Sequence, residues 1–200
     1  MTSFSPDGLP HFPVMMHLTE IGNFKSIEKD LIRCAYDYRK KDPKGRVLTN
    51  TCGWQSSFLQ QENNIIRSTL WQGIFQYFDS NKILECDINL DSLWININGK
   101  GHYNRVHDHP GSDLSGVMWI KTPVDCGRLE FTSPHAFVQH KELDFYSKKY
   151  KEYNKIYSTY EFYPVAGRIA IFPSFILHRV LPNQSGEDRI SVSFNLLLNK

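Results

Sequence analysis

The part of the chain best equipped for chemistry is a pair of histidines, His107 and His109, separated by one residue. In an extended segment, side chains two residues apart point to the same face, about 6–7 Å apart. Both imidazoles could therefore reach one metal ion, while Asp108 would point to the opposite side. A later histidine, His178, follows a predicted strand and could bring a third imidazole. Such a set, with coordination positions left open, suits Fe(II), which can then bind a substrate and oxygen.

The carboxylates near this pair leave other ligand sets open. Asp108 could bind the metal instead, although its neighbour His107 would then face away. Asp113 could bind only if the chain turns at Pro110 and Gly111. From the residues alone, Asp108, Asp113 and the second histidine of the pair all remain candidates for the second ligand.

A carboxylate-binding site is indicated on the last predicted strand, where Arg189 and Ser191 share a face. A guanidinium and a hydroxyl on one face can bind one carboxylate together, and Arg suits this role because its donor fork is planar and always charged. The alternative is an exposed ion pair between Arg189 and Glu187 or Asp188, worth about 0–1 kcal/mol.

The elements that must position these side chains are two helices followed by a β-rich body. Apolar residues at steps of three and four predict helices at 24–41 and 62–78. Residues 1–22, with several Pro and Gly, predict a loop or an edge strand. Short runs rich in Ile, Val, Trp and Phe predict strands at 92–98, 115–120, 128–131, 160–165, 168–172, 178–181 and 189–198.

This order predicts an α+β, mainly β fold of jelly-roll type, buttressed by the helices. The length of 200 residues suits one domain, with residues 1–85 as an N-terminal flank and 86–200 as the β core. The polar segment 135–157 is rich in Lys and Tyr and predicts a long insertion, of the kind that often forms a lid.

Composition and charge argue against several classes of protein. The net charge is +2 with neutral His, which gives no basic excess for binding nucleic acid. No run approaches the roughly 20 apolar residues of a membrane span, and no signal peptide is recognisable. The four cysteines include no C-x-x-C pair. We therefore expect a cytoplasmic protein with reduced thiols.

Taken together, these motifs resemble the small 2-oxoglutarate/Fe(II) oxygenases of bacteria and phages, a family distantly similar to prolyl hydroxylases. The resemblance covers roughly residues 50–198. The matching stretches are GWQS at 53–56, HDHPGS at 107–112 with LSGV at 114–117, GRIAIFPS at 167–174, the histidine at 178, and RISVSFN at 189–195.

The resemblance implies a double-stranded β-helix, that is, a jelly roll or cupin-like barrel, in which His107, His109 and His178 bind Fe(II). His109 is favoured as the second ligand because it matches the family's own His-x-His pattern. The wider superfamily has an acidic residue at this position, so the metal site of this chain would be one charge unit more positive.

The resemblance also implies that Arg189 and Ser191 bind the distal carboxylate of 2-oxoglutarate. Asn104, Ser115 and Trp119 are expected to line the same pocket. The expected enzyme is a hydroxylase-type dioxygenase that uses Fe(II), 2-oxoglutarate and O₂. It would couple the oxidative decarboxylation of 2-oxoglutarate to the oxidation of an unidentified small-molecule or peptide substrate.

Some alternatives stay open beside this interpretation. A three-histidine dioxygenase or a cupin-like metal-binding protein would not use 2-oxoglutarate, and a structural protein could keep the barrel without activity. Nucleic-acid dealkylating dioxygenases carry a second Arg where this chain has Asn195, so nucleic acid is a poor candidate substrate. A homodimer stays open, and the location would be the host cytoplasm if a phage encodes the chain.

Overall fold

The computed structural model describes residues 14–59, 64–135 and 141–199. The strands are β1 (His17–Glu20), β2 (Asn50–Thr51), β3 (Trp54–Gln55), β4 (Asp87–Asn98), β5 (Tyr103–His107), β6 (Leu114–Lys121), β7 (Leu129–Thr132), β8 (Thr159–Phe162), β9 (Arg168–Pro173), β10 (His178–Val180) and β11 (Arg189–Asn199). They form a six-stranded sheet in the order β1-β9-β6-β11-β4-β3 and a five-stranded sheet in the order β2-β5-β10-β7-β8. Every pairing between strands is antiparallel. The predicted mainly β fold is therefore confirmed.

Two helices, α1 (Phe24–Lys41) and α2 (Ile65–Asn81), cover the outer face of the six-stranded sheet. Leu31 of α1 and Leu70 of α2 are fully buried in one apolar cluster with alternate residues of β4, including Ile95. The intervening residues of β4, among them Asn96, face the interior between the two sheets. The period-two pattern of this strand thus separates an apolar outer face, under the helices, from a polar inner face.

The boundaries of α1 agree with the prediction, and those of α2 differ. Residues 62 and 63, predicted as its first turn, lie outside the described residues. The described helix begins after Asn64, whose side chain accepts a hydrogen bond from the Arg67 backbone N–H at 2.9 Å. It ends at Asn81 and is capped by Lys82, which adopts a left-handed conformation. Phe75, one of the apolar residues within the predicted helix 62–78, is 54% exposed, so α2 buries a narrower apolar stripe than its sequence suggests.

Four strands were not predicted as such. β2 and β3 have two residues each and β1 has four, which is too short for a hydrophobic period to show. β1 pairs only with β9 and forms an edge of the larger sheet, in agreement with the edge-strand alternative for residues 1–22; residues 1–13 lie outside the described chain. The fourth, β5, has a polar sequence around the histidine pair. The flank therefore supplies strands to both sheets.

The predicted insertion at 135–157 contains a 3-10 helix, Lys141–Phe145, and a short helix, α3 (Lys148–Tyr153). Residues 136–140 of this segment lie outside the described residues. No disulfide joins the four cysteines. In the described part of the chain, no helix has both the length and the apolar character needed to cross a membrane.

Candidate active site

Three histidines converge on the inner side of the five-stranded sheet. His107 at the end of β5 and His178 at the start of β10 are paired directly in the antiparallel register. His109 follows two residues after β5, and its backbone N–H donates to the Ser174 carbonyl at 3.0 Å. One ligand nitrogen from each of the three lies within 4.8 Å of the others. Nitrogens that are each about 2.1 Å from one ion lie at most about 4.2 Å apart, so small ring rotations would let all three contact it.

The hydrogen bonds of the three rings leave a nitrogen free on each. His107 and His178 each donate from Nδ1 to the carbonyl oxygen two residues earlier in the chain, at 2.7 and 2.9 Å. His109 donates from Nδ1 to Oδ1 of Asn195 at 2.5 Å. Because each oxygen accepts a proton from Nδ1, each Nε2 carries the lone pair that a metal ion requires.

Burial keeps these imidazoles in their neutral form. Burial lowers the pKa of His178 to about 3 and also lowers the pKa values of His107 and His109 below the ordinary value. A histidine must be neutral to bind a metal ion. The trio therefore fits a divalent cation. Among the side chains that the structure describes, no other group of three His, Cys, Asp or Glu residues converges in this way.

The two carboxylates considered as alternative ligands lie elsewhere. Asp108 is exposed at the cavity rim. Asp113 accepts a hydrogen bond from the Leu198 backbone N–H at 2.8 Å, so its side chain ties the end of β11 to the start of β6. His109 thus lies together with His107 and His178, whereas Asp108 and Asp113 do not.

Arg189 is buried on the inner face of the six-stranded sheet, with 3% of its surface exposed. Its Nη1 donates to the carbonyl oxygens of Cys126 and Gly127, at 2.5 and 3.4 Å. No Asp or Glu of the described residues forms an ion pair with it. Burial lowers the pKa of Arg189 to about 10, which still leaves it charged at neutral pH. A buried cation without a carboxylate is an arrangement that favours an anionic ligand.

The exposed ion pairs that were the alternative for Arg189 do not form. Glu187 instead pairs with Lys121 at 2.9 Å, and Asp188 pairs with Arg39 at 3.5 Å. Both acidic side chains are thus engaged on the outer surface, whereas the guanidinium points inward.

A cavity of about 330 Å³ lies between the sheets and contains both His107 and His109 in its wall. The predicted 2-oxoglutarate residues that line it are Arg189, Ser191, Asn104 and Trp119. Ser115 does not line it; this residue is fully buried behind His109, with Oγ 3.0 Å from Nδ1 of the ring. None of the described residues between 141 and 157 lines the cavity, and a lid role for that segment stays a prediction.

Two amide residues of the cavity wall were missed by sequence reasoning. Gln55 and Asn96 are neighbours across β3 and β4, with 2% and 6% of their surfaces exposed. Oδ1 of Asn96 is buried and has no hydrogen-bond partner among the described residues. The alternation along β4 indicated that Asn96 faces away from the helices, but only the pairing with β3 shows that both amides reach the cavity.

Comparison with known proteins identifies the class. A family model described as "Putative 2OG-Fe(II) oxygenase" matches residues 92–195, more than half of the 200 residues. The chain therefore belongs to the 2OG-Fe(II) oxygenase family, which confirms the resemblance seen in the sequence. The family makes the chain an oxidoreductase that uses Fe(II), 2-oxoglutarate and O₂. None of the curated protein sequences compared with it matches.

Solved structures share the fold over most of the chain. The Pseudomonas putida prolyl-4-hydroxylase is 14% identical, with 94% of this chain and 93% of that one covered and a TM-score of 0.58. The collagen prolyl hydroxylase of Paramecium bursaria Chlorella virus-1, in a 2OG complex, is 16% identical, with 92% and 96% covered and a TM-score of 0.58. The carbocyclase SnoK from nogalamycin biosynthesis is 12% identical, with 93% and 80% covered and a TM-score of 0.64. At these identities the likeness concerns the fold alone, which is the predicted double-stranded β-helix.

Proposed function

We propose that the chain is a hydroxylase-type dioxygenase in which His107, His109 and His178 bind Fe(II), while Arg189 and Ser191 bind the distal carboxylate of 2-oxoglutarate. The observation that carries this proposal is the buried guanidinium without an anionic partner, in a cavity whose wall also contains His107 and His109, two of the three converging neutral imidazoles. A dicarboxylate suits such a cavity, because its negative charges can pair with the guanidinium and with a bound metal ion. Its volume of about 330 Å³ is sufficient for a small ligand of this type.

When bound, Fe(II) supplies the oxidising chemistry, in which 2-oxoglutarate and O₂ are consumed, succinate and carbon dioxide are formed, and the substrate is oxidised. The residues of the chain bind and orient the reactants. Arg189 is held in place by the carbonyl oxygens of Cys126 and Gly127, so its remaining donors are aimed before a ligand arrives. Ser191 neighbours Trp119 across the β11–β6 pair, and both provide wall on the same side of the cavity.

The other two residues expected in the pocket have different roles. The side-chain amide of Asn104 donates to Oγ1 of Thr49 at 3.2 Å and accepts from Nδ2 of Asn98 at 3.4 Å. It is therefore better placed to connect β5 with Thr49, just before β2, and with the end of β4 than to bind a ligand directly. Ser115 lies behind His109, and we assign it no contact with 2-oxoglutarate.

The substrate that is oxidised is proposed to be a small molecule or a peptide. Phe58 and Trp94, whose rings lie 5.7 Å apart, form an aromatic part of the cavity wall next to His109. Phe58 is 40% exposed, so this wall continues to the surface and offers an apolar approach to the proposed metal site. A cytoplasmic location and a single domain over residues 1–200 remain part of the proposal.

Calorimetric titration of 2-oxoglutarate under anaerobic conditions, into Fe(II)-loaded protein, tests the role of Arg189. We expect Arg189→Ala to weaken binding by about 30-fold or more, since leaving a buried charge unpaired costs about 2–5 kcal/mol. Arg189→Lys should recover only part of this loss, because an ammonium cannot make the two-pronged contact. The matched control is Arg179→Ala on β10, which removes an exposed Arg paired with Glu130 and should leave the affinity unchanged.

Equal affinities of the wild type and Arg189→Ala would contradict the proposed carboxylate site. An absence of binding to the wild type would instead favour the three-histidine dioxygenase that does not use 2-oxoglutarate. The specific observation behind that second candidate is the position of His109, a neutral residue among the converging side chains.

A further inference from the structure

His109 differs from the other two histidines in the group that holds its Nδ1 atom. His107 and His178 donate to backbone carbonyl oxygens, which can only accept a proton. His109 donates to a side chain, the Oδ1 atom of Asn195, and Oγ of Ser115 lies 3.0 Å from the same Nδ1. A side-chain amide can present either an oxygen or an NH₂ group. The tautomer of His109 therefore depends on how the Asn195 amide is oriented.

The orientation of this amide is set by two neighbouring strands. Asn195 on β11 is in register with Ser92 on β4 and with Ser115 on β6. Its Nδ2 donates to Oγ of Ser92 at 2.9 Å, and its Oδ1 accepts from Oγ of Ser115 at 2.8 Å. Ser115 is fully buried and also contacts Oγ of Ser174 at 2.7 Å. The amide oxygen is thus directed toward His109 by bonds on both sides.

A reversed amide would have a defined chemical consequence. Its NH₂ group would face Nδ1 of His109, which would then have to accept a proton rather than donate one. The ring would carry its own proton on Nε2 instead, and the lone pair toward the other two histidines would be lost. The orientation of the Asn195 amide therefore determines whether the His109 ring can bind a metal ion through Nε2.

We propose that Asn195 is a positioning residue for His109: together with Ser115, it holds the imidazole in the Nδ1–H tautomer and so presents Nε2 to the metal ion. This inference rests on the proposed ligand set of His107, His109 and His178. Partners that accept from the second nitrogen of a metal-binding histidine fix the ring orientation as well as the tautomer. Because the amide is neutral, it does this without adding the negative charge of a carboxylate.

The test is the affinity for Co(II), measured by competition with a chelator, in variants at position 195. Asn195→Leu has a similar volume and cannot accept a hydrogen bond, so we expect a loss of about 10–100-fold. Asn195→Asp keeps an oxygen at the same place and should stay within about 3-fold of the wild type or bind more tightly, since a carboxylate raises the basicity of the ring. Asn199→Ala, an exposed position on the same strand, is the matched control and should not change the affinity.

The second readout is the side-chain ¹⁵N spectrum of His109 in the metal-free protein. The wild type and Asn195→Asp should show the Nδ1–H tautomer, whereas Asn195→Leu should show a substantial Nε2–H fraction. A packing role alone would not move this signal. If Asn195→Leu does not fold, Ser115→Ala replaces it, and the same change of tautomer is expected from the loss of the hydroxyl that holds Oδ1.

Two results would overturn the inference. One is an unchanged tautomer and Co(II) affinity in the Leu variant, or an unchanged tautomer in Ser115→Ala where that replaces it; the other is an Asp variant that binds as weakly as Leu. His107→Ala separates this failure from failure of the proposed function. If His107→Ala abolishes Co(II) binding while Asn195→Leu does not, only the positioning role is wrong. If neither variant changes the affinity, the proposed ligand set is wrong as well.

Discussion

At the scale of single residues, the site combines three neutral imidazoles with one buried guanidinium. Asp108, exposed at the rim, is the one Asp or Glu in the cavity wall as described. A bound divalent cation would therefore keep its full charge, and Arg189 would add another positive charge to the same cavity. The resulting positive electrostatic potential in the cavity favours an anionic ligand and raises the local concentration of that ligand. A dianion such as 2-oxoglutarate would be bound with its two ends near the two cationic groups.

The ligand assignment of His109 can be tested against its acidic neighbour. We expect His109→Ala to weaken Co(II) or Mn(II) binding by at least about 100-fold. This loss exceeds the one expected from removing a residue that only hydrogen-bonds to a ligand, such as Asn195. Asp108→Ala should change the affinity by less than about 3-fold, because an exposed charge is screened by salt. The affinities are measured by titrating both variants with Co(II) or Mn(II), and circular dichroism checks that each variant is folded. A large loss in Asp108→Ala with little effect of His109→Ala would reassign the ligand to the aspartate.

The sequence indicated some of these residues and not others, for a physical reason. His107 with His109, and Arg189 with Ser191, are each indicated by a spacing of two residues along the sequence. The role of Asn195 is invisible to such reasoning, because it depends on register between strands that are far apart in the chain. Position 195 could be read from the sequence only as the absence of a second Arg.

At the scale of elements, β11 has the central place. It is paired with β4 on one side and β6 on the other, so both of its edges are fixed by hydrogen bonds. Arg189 and Ser191 lie near its start and Asn195 lies further along the same face. The proposed carboxylate site and the partner of His109 are thus built on one rigid strand, which favours the precise geometry that a binding site requires.

The turn before β7 supports Arg189 through a glycine. Gly127 has a φ of 87°, and a Cβ atom there would overlap the carbonyl oxygen of Leu181 and lie 2.9 Å from Nη1 of Arg189. Gly127→Ala should therefore shift the guanidinium and weaken 2-oxoglutarate binding by about 10-fold or more, with little change in metal affinity, as 1.4 kcal/mol corresponds to tenfold. Titrations with 2-oxoglutarate and with Mn(II) check this.

Gly101→Ala is the matched control, because Gly101 also has a positive φ, 79°, but a Cβ atom there would meet nothing within 4 Å. Both variants carry the same kind of backbone penalty, about 1–3 kcal/mol of stability. If the control weakens 2-oxoglutarate binding as much as Gly127→Ala does, the effect comes from general destabilisation and the contact with Arg189 has no specific role.

The elements that sequence reasoning found and missed differ in how much periodicity they contain. α1 spans 18 residues and β11 spans 11, which is enough for apolar spacing to reveal both type and extent. β2 and β3 span two residues each and exist only because longer neighbours offer them hydrogen-bonding groups. Their position nevertheless matters, since β3 carries Gln55 into the cavity wall.

At the scale of the whole molecule, stability and binding are carried by opposite faces of the six-stranded sheet. The outer face packs with α1 and α2 into an apolar cluster, and neither helix lines the cavity. The inner face carries the polar groups of the cavity wall, among them Asn96, whose buried Oδ1 has no hydrogen-bond partner among the described residues. The fold is therefore stabilised away from the site, and ligands that bind only the folded protein should add to its stability.

This arrangement predicts how the melting temperature responds to ligands. A ligand that binds only the native state at 100 times its dissociation constant adds about 2.7 kcal/mol, which corresponds to a rise of about 5–10 °C for a chain of this size. We expect Mn(II) alone to raise the melting temperature, 2-oxoglutarate alone to raise it little, and the two together to raise it further. Mn(II) should strengthen 2-oxoglutarate binding because the metal ion would pair with one end of the dicarboxylate while Arg189 pairs with the other.

In the same melting experiment, two variants separate the contribution of the proposed metal site from that of the proposed carboxylate site. His178→Ala should lose the effect of Mn(II) and most of the added effect of 2-oxoglutarate, because the keto acid end would have no metal to bind. Arg189→Ala should keep the effect of Mn(II) and lose only the further rise. A wild type that responds to Mn(II) but never to 2-oxoglutarate would show that the cavity holds a metal site without the cosubstrate site. Equal responses in Arg189→Ala and wild type would show that 2-oxoglutarate binds without this guanidinium.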